Sequence, residues 1–239
     1  MAKQTNRQTV KDITPNEDFL KRCTLHIAGT TELIVHKRSN SAERYLLDDD
    51  RKAQKLWESQ HKNEWEDVIT SIHWRDKLVY NGEIITPDKT NAVACEEMML
   101  ELLEKNAPCI SAFGLKESWK DAVVRFGLDK NKTKFDAAVT MIESNMLIPF
   151  KFDEWHTDTR LIAPNFKSPP VPQTFSHFSG WSADIHFTVD DSVFSMKEVM
   201  TAIKKAGAGV GIGSGRKIGY GRYTITSLTG DFDVASELS

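Results

Sequence analysis

The sequence predicts an α+β fold, with an antiparallel sheet and helices on one of its faces, from three local patterns. Residues 181–189 (WSADIHFTV) alternate between apolar and polar side chains, which is typical of a strand with one buried face. Asn81-Gly82 lies between two triplets rich in β-forming residues, which indicates a two-residue hairpin. Ser195 and Glu198 form a capping box, so a helix is expected from there to about Ala206.

The remaining segments give a provisional order of elements. The polar residues 1–18 are expected to form a flexible arm, and residues 19–239 a single domain. Further strands are expected at 23–28, 31–37, 146–152, 160–164 and from 223 to about 228. Apolar residues at helical spacing predict a helical insertion at about 40–75, with its clearest periodicity at 43–74. Further helices are expected over 88–144. Thr86-Pro87-Asp88 opens the first, which runs to about Lys105, and the others are at 115–126 and 132–144.

Composition narrows the class of protein. Of 239 residues, 40% are hydrophobic and 27% are charged, which excludes wholesale disorder. The sequence has no apolar run long enough to cross a membrane, and its polar N-terminus lacks a signal-peptide core. Three cysteines without CxxC spacing indicate free thiols in a reducing compartment and speak against a structural zinc site. We therefore expect a cytoplasmic protein with no membrane partner.

The most informative segment is 207–223, GAGVGIGSGRKIGYGRY, with seven glycines in 17 positions. Glycine allows positive φ and close approach of the backbone to a ligand, and exposed amides beside cations suit phosphate. Although the whole chain has a net charge of −3, residues 203–223 contain no acid and five bases: Lys204, Lys205, Arg216, Lys217 and Arg222. The pattern therefore predicts a local phosphate-binding element.

Two common phosphate motifs do not fit this segment. A P-loop requires glycine immediately before its lysine, whereas Arg216 precedes Lys217. A dinucleotide fingerprint that starts at Gly211 has Arg216 where its last glycine should be. Both motifs also run from strand to loop to helix, whereas the order expected here is helix, loop, strand. Nucleoside-triphosphate and NAD sites are thus disfavoured.

The segment resembles the glycine-rich loop of the RAMP superfamily, the RNA-binding proteins of CRISPR systems. Gly211-Ile212-Gly213, five residues, and Gly219-Tyr220-Gly221 match the pattern GhGxxxxxGhG, in which h is apolar. In that family the loop lies between the last helix and the last strand of a ferredoxin-like (RRM-type) domain. The resemblance extends over about residues 181–228, and more weakly over 23–36 as the family's first strand. A helical insertion such as the one expected here is more typical of stand-alone, phage-encoded proteins.

The resemblance implies a protein that binds single-stranded RNA or DNA and assembles along it as a homo-oligomer. The loop would hold phosphates through backbone amides and cations, and Tyr220 or Tyr223 would stack on bases. The residues so implied are Gly211, Gly213, Arg216, Lys217, Gly219, Tyr220, Gly221 and Arg222.

Two other classes of function remain open. The first is a metal-independent endoribonuclease that uses His36 or His186, because imidazole titrates near neutral pH. The second is an inhibitor of a host defence system, which would mimic a CRISPR subunit or sequester a cyclic nucleotide. No catalytic constellation occurs at fixed local spacing, so a binder is favoured over an enzyme.

Three further segments could form a metal site, a functional loop or a partner interface. Trp155-His156 is expected in a turn with Asp158 nearby, and such a turn is more often a surface loop than a metal site. No cofactor or metal is therefore expected. Residues 165–180 contain three prolines and predict a functional loop. Trp57, Trp65 and Trp74 are expected on one helix, as core residues or a partner interface.

Overall fold

A computed structural model of the chain describes residues 20–37, 63–86, 89–162 and 171–230. The predicted arm 1–18, most of the predicted insertion 40–75 with Trp57, and the tail after 230 lie outside the described residues. Within the described ranges the chain is a mixed α and β protein whose strand pairs are all antiparallel.

The larger sheet has seven strands in the order β12-β1-β11-β8-β6-β3, with β7 also paired to β11. β1 lies next to the edge strand β12 and pairs on its other side with β11, from Leu20 opposite Asp190 to Ala28 opposite Ser182. The strands are β1 (Leu20–Gly29), β3 (His73–Trp74), β6 (Pro108–Ser111), β7 (Val139–Met141), β8 (Leu147–Lys151), β11 (Ser182–Asp190) and β12 (Tyr223–Gly230).

A second sheet of three strands adjoins the first. It has the order β2-β10-β9, in which β2 is Leu33–Val35, β9 is Glu154–Ile162 and β10 is Val171–Ser179. The predicted hairpin is confirmed as β4 (Val79–Tyr80) and β5 (Glu83–Ile84), with positive φ at both Asn81 and Gly82.

Six helices occur in the described part of the chain. α4 and α6 pack against each other, and α6 also lies against β12. The capping box of Ser195 and Glu198 is confirmed at the start of α6. The helices are α1 (Glu64–Thr70), α2 (Thr90–Val93), α3 (Glu96–Lys105), α4 (Ala112–Arg125), α5 (Lys132–Ala138) and α6 (Met196–Gly209).

The core lies between these helices and the larger sheet. Along β11 the apolar residues are buried, and the alternate residues Asp184 and His186 are exposed, as predicted. Trp119 of α4 packs edge-on against Phe187 of β11, with 5.3 Å between the ring centroids. The sheet therefore has one apolar face under helices and one polar face.

Several predicted helix boundaries are wrong. The predicted helix 43–74 ends at Thr70, so Trp74 lies on β3 and not on a helix with Trp65. The predicted helix 132–144 ends at Ala138 and becomes β7, and the one at 86–105 is broken between α2 and α3. Apolar residues that face a sheet and a helix in succession mimic helical spacing in the sequence.

The segment 154–179 contains the largest error. Trp155-His156 lies near the start of β9 rather than in a turn, and residues 171–179 of the predicted loop form β10. These two strands pair over their full length, from Val171 opposite Ile162 to Ser179 opposite Glu154. Pro172 is tolerated because β2 pairs only with Ser176–Phe178, so one edge of β10 beside Pro172 has no partner strand among the described residues.

Candidate nucleic-acid interface

The glycine-rich segment begins where α6 ends and runs into β12, so the predicted order of helix, loop and strand is observed. The Val210 N–H still donates to the Ala206 carbonyl, and the Gly211 N–H donates to the same oxygen. Gly207 lies inside α6 and Gly209 is its last residue, so the helix runs three residues beyond the predicted end at Ala206. A Cβ on Gly207 would lie 2.4 Å from the Tyr223 carbonyl oxygen, so this glycine permits close packing of α6 on β12.

Three glycines, Gly211, Gly213 and Gly221, form what we call the loop base. All three have positive φ, and added Cβ atoms would lie 2.7, 2.4 and 1.9 Å from backbone oxygens of Tyr220, Ile34 and Ile212, respectively. These distances are far shorter than a real Cβ contact. Glycine is therefore required here by the packing of the protein against itself, and not by the approach of a ligand.

The loop base is also attached to the segment that leads into β2. The Ser214 N–H donates to the Ile34 carbonyl at 2.8 Å, and the Gly221 N–H donates to the Glu32 carbonyl at 2.7 Å. The Thr31 hydroxyl donates to the Gly219 carbonyl at 3.0 Å and accepts from the Arg222 N–H at 2.9 Å. These bonds fix the two ends of the loop on the second sheet.

Residues 215–219 form what we call the loop tip. A single turn of 3₁₀-helix, Arg216–Ile218, is flanked by Gly215 at φ 71° and Gly219 at φ 101°. Lys217 is exposed, and Ile218 is 71% exposed. A Cβ on Gly219 would meet no atom within 4 Å. The outer part of the loop tip, Lys217 to Gly219, therefore faces open space, whereas a Cβ on Gly215 would lie 2.8 Å from the Tyr220 ring.

The loop tip carries hydrogen-bond donors that the described residues leave without acceptors. The backbone N–H groups of three successive residues, Gly215, Arg216 and Lys217, make no hydrogen bond within the described ranges. Successive unpaired N–H groups next to a left-handed residue are a common anion-binding arrangement. In addition, the Nη1 atoms of Arg216 and Arg222 are buried and have no acceptor in the described part of the chain.

The two tyrosines of the segment have different environments. Tyr223 is 3% exposed; its hydroxyl accepts from Trp119 Nε1 at 2.9 Å and donates to the Ile203 carbonyl. Burial raises the pKa of Tyr223. The prediction that Tyr223 could stack on bases is therefore wrong, because its ring is part of the core.

Tyr220 is partly buried and leans on the second sheet. Its hydroxyl accepts from Arg160 Nη2 at 3.0 Å, and its ring meets the His177 ring edge-on at 5.4 Å. Asp158 Oδ2 accepts a hydrogen bond from Arg160 Nε at 2.5 Å, and this contact lowers the pKa of the Asp158 carboxyl. Tyr220 thus connects the loop to the hairpin of β9 and β10, a contact that sequence reasoning did not anticipate.

A cavity of about 370 Å³ lies behind the loop. Its walls come from the loop base and tip, β2, and the first turn of α4, where the Ser111 side chain accepts from the Gly114 N–H. His36 lines this cavity together with Arg216. The His36 Nε2 atom is 2.6 Å from the Gln173 side-chain nitrogen, and burial lowers the pKa of His36.

The two predicted catalytic histidines are not brought together. His36 follows β2 beside the loop, whereas His186 lies on the polar face of the larger sheet, where its Nδ1 is 3.1 Å from Glu143 Oε1. The same face carries His26 on β1, whose Nδ1 lies 2.5 Å from Asp184 Oδ1. In the described structure each histidine has a separate local partner, which gives no shared acid–base pair for His36 and His186.

Comparisons with known proteins give the following findings. No family model matches the chain, and no curated protein matches it. A chain from the cryo-EM structure of the type III-B Cmr-beta bound to cognate target RNA is 10% identical, with a TM-score of 0.45, over 88% of this chain and 60% of that one. Cmr6 from Pyrococcus furiosus is 11% identical, with a TM-score of 0.32, over 86% of this chain and 98% of that one. The present chain therefore spans about 60% of the length of the first.

None of the helices in the described ranges has the length and the apolar character that are needed to cross a bilayer.

Proposed function

We propose that the chain is a RAMP-like protein that binds single-stranded nucleic acid through the loop tip. The observation that carries this proposal is the run of three unpaired backbone N–H groups at Gly215, Arg216 and Lys217. These groups lie within a segment, 203–223, that has five basic residues and no acid. Together they offer directed donors and positive charge to a phosphate, and neither feature depends on base identity.

The loop base supports the proposal by holding the tip in place. Its glycines pack against backbone oxygens, and its hydrogen bonds attach both ends of the loop to Glu32 and Ile34. A rigid loop loses little conformational entropy when it binds a ligand, so the tip is preorganised. The residues that would touch phosphate are then Arg216, Lys217 and Gly219, with Arg222 beside them, whereas Gly211, Gly213 and Gly221 act by shaping the loop.

Strand order supports the family proposal. β12, β1, β11 and β7 are neighbours in that order, and they are the last, first, third and second of these four strands along the chain. With α6 between β11 and β12, this is the order expected of a ferredoxin-like core. In this proposal β2, β9 and β10 form a second layer that supports the loop. The α1 region, outside this core, would be the remaining described part of the insertion.

The proposed binding mode relies on phosphate contacts more than on base stacking. The exposed residues of β11 are Asp184 and His186, so this strand presents no Phe, Tyr or Trp on which a base could stack. Tyr220 alone among the aromatic residues at the loop is partly accessible, and it is held by Arg160. We therefore propose weak sequence preference, with occupation of a long strand by several copies of the chain.

The test is a pair of binding titrations on the full chain with labelled single-stranded RNA and DNA. The variant Arg216→Ala/Lys217→Ala should lose at least tenfold in affinity, about 1.4 kcal/mol, while its melting temperature stays close to that of the wild type. The salt dependence of binding should flatten, because fewer phosphates are neutralised. Mass photometry on long strands would report assembly in the same samples.

A matched control removes charge elsewhere. Lys134 is an exposed lysine on α5, 66% accessible, and Lys134→Ala should leave affinity nearly unchanged. Unchanged affinity and salt slope in the double variant would exclude the loop tip as the binding site. Cleavage of RNA by metal-free wild type that disappears in His36→Ala or His186→Ala would instead identify an endoribonuclease.

A further inference from the structure

Two histidines face each other across the hairpin of β9 and β10, next to the loop base. His156 and His177 are directly paired in the strand register, so their side chains leave the same face of the sheet. Their rings stack with 4.9 Å between centroids and 25° between planes. Glu32, which precedes β2, adds a carboxylate to this pair.

The three side chains present ligand atoms to a common point. His177 Nδ1 lies 3.0 Å from Glu32 Oε2, and His156 Nε2 lies 4.0 Å from Glu32 Oε1. All three ligand atoms are within 4.8 Å of one another. A tetrahedral zinc ion with ~2.1 Å bonds needs ligands ~3.4 Å apart. His156 is 52% exposed, so a rotation of its side chain can close the remaining gap.

The environment of the cluster differs from that of a surface histidine pair. His177 is 1% exposed, and its Nε2 is buried without any hydrogen-bond partner in the described structure. This atom lies on the opposite side of the imidazole ring from Nδ1, so Nδ1 is the nitrogen that can bind an ion beside Glu32. The Tyr220 ring covers one side of His177, and the nearby Arg160 is bonded to Asp158 and Tyr220.

We propose that Glu32, His156 and His177 bind a divalent first-row transition-metal ion, with zinc as the simplest probe. Two imidazoles and one carboxylate suit transition-metal ions, whereas calcium and magnesium prefer sites made of oxygen ligands alone. Three protein ligands leave at least one coordination position for water or another ligand. The sequence could not indicate this site, since its ligands are 124 and 21 residues apart and the second histidine lay in a segment predicted as loop.

The ion would connect the hairpin of β9 and β10 to the loop base. Glu32 also accepts the Gly221 N–H through its backbone carbonyl, so a metal held by its carboxylate would join the hairpin of β9 and β10 to the loop base. Binding should therefore stabilise the folded chain, and the stabilisation should grow with the logarithm of the metal concentration above its Kd. This inference does not depend on nucleic-acid binding, and its test uses none.

The test starts from full-length protein stripped by a chelator and dialysed into metal-free buffer. Isothermal titration with Zn²⁺ should give one site per chain, and added Zn²⁺ should raise the melting temperature. In His156→Gln the affinity for Zn²⁺ should fall at least tenfold, with the metal-free melting temperature unchanged because this side chain is half exposed. Titration with Co²⁺ should produce visible ligand-field absorption in the wild type that is absent in this variant.

His186→Gln is the matched control, because His186 is also exposed and also lies beside one carboxylate but has no third ligand. It should bind Zn²⁺ as the wild type does. Glu32→Gln keeps the shape of the side chain and should weaken binding as His156→Gln does. Absence of a one-to-one site in the wild type, or equal Zn²⁺ affinity in the wild type and His156→Gln, would overturn the proposal.

Discussion

The loop base and the loop tip belong to one sequence motif but have opposite surroundings. At the base, Gly211, Gly213 and Gly221 are pressed against backbone oxygens, so an added methyl group has no room. At the tip, Gly219 has no neighbour within 4 Å of its absent Cβ, and Lys217 faces solvent. Repeated glycines in one motif therefore serve two purposes: they allow close packing within the protein at the base and leave an open surface at the tip.

The largest expected effect follows from placing a side chain at the base. In Gly221→Ala the new Cβ would lie 1.9 Å from the Ile212 carbonyl oxygen, at a φ of 67° that alanine adopts poorly. The free energy of unfolding should fall by about 3 kcal/mol or more, because the backbone itself must move. Urea denaturation measures this loss.

Gly219→Ala is the matched variant at the tip. It has the same unfavourable sign of φ but no clash, so the loss should be about 1 kcal/mol. If Gly221→Ala and Gly219→Ala were equally stable, packing would not distinguish the base from the tip.

The second expected effect is a loss of stability when Tyr223, which follows the loop base, loses its hydroxyl group. Tyr223→Phe removes the acceptor of the buried Trp119 Nε1–H, which should lower the free energy of unfolding by about 2 kcal/mol. Nucleic-acid affinity of the folded fraction should not change, since the ring lies in the core. A large loss of affinity at unchanged stability would return Tyr223 to the binding surface.

The third effect separates binding from stability at the tip. A branched side chain in Gly219→Val would stand beside Lys217 and the unpaired N–H groups, and should weaken single-strand binding at least tenfold, about 1.4 kcal/mol. Its stability should fall by about 1 kcal/mol, as for alanine. Affinity and melting temperature are measured on the same preparation. A variant that melts much earlier yet binds normally would contradict the proposed role of the tip.

The smallest expected effect is a dependence of stability on pH that comes from His36, in the cavity beside the loop base. Burial lowers the pKa of His36 below its ordinary 6.5, so the unfolded chain takes up the proton first as the pH falls. Stability should therefore decrease as the pH drops from about 6.5 towards the lower pKa of the folded state. Denaturation at pH 7.5 and 5.5 should show a shallower decrease in His36→Gln than in the wild type. An identical decrease would mean that other groups dominate.

Local patterns predicted those parts of the chain whose structure depends on near neighbours. The alternation in 181–189 gave β11, Asn81-Gly82 gave a hairpin, and the Ser195–Glu198 box gave the start of α6. The order of helix, loop and strand around the glycines was also predictable. Each of these signals acts within about ten residues, so no distant partner could reverse it.

Predictions failed where a distant partner sets the conformation. β9 and β10 have little periodicity of their own, and pairing with each other and with β2 makes them strands. The tertiary structure likewise removed Tyr223 from the surface by placing it under Trp119. A side chain's exposure depends on what packs over it, which local sequence does not encode.

The glycine-rich, acid-free loop between a helix and a strand could be predicted from the sequence, because it is defined by residue composition and by the order of local patterns along the chain. Only the tertiary structure decided which glycines are packed and which are open, since that depends on Ile34 and Ile212 approaching from elsewhere or from across the loop. It also decided that Glu32, His156 and His177 meet, because strand register, not spacing along the chain, brings their side chains to one point.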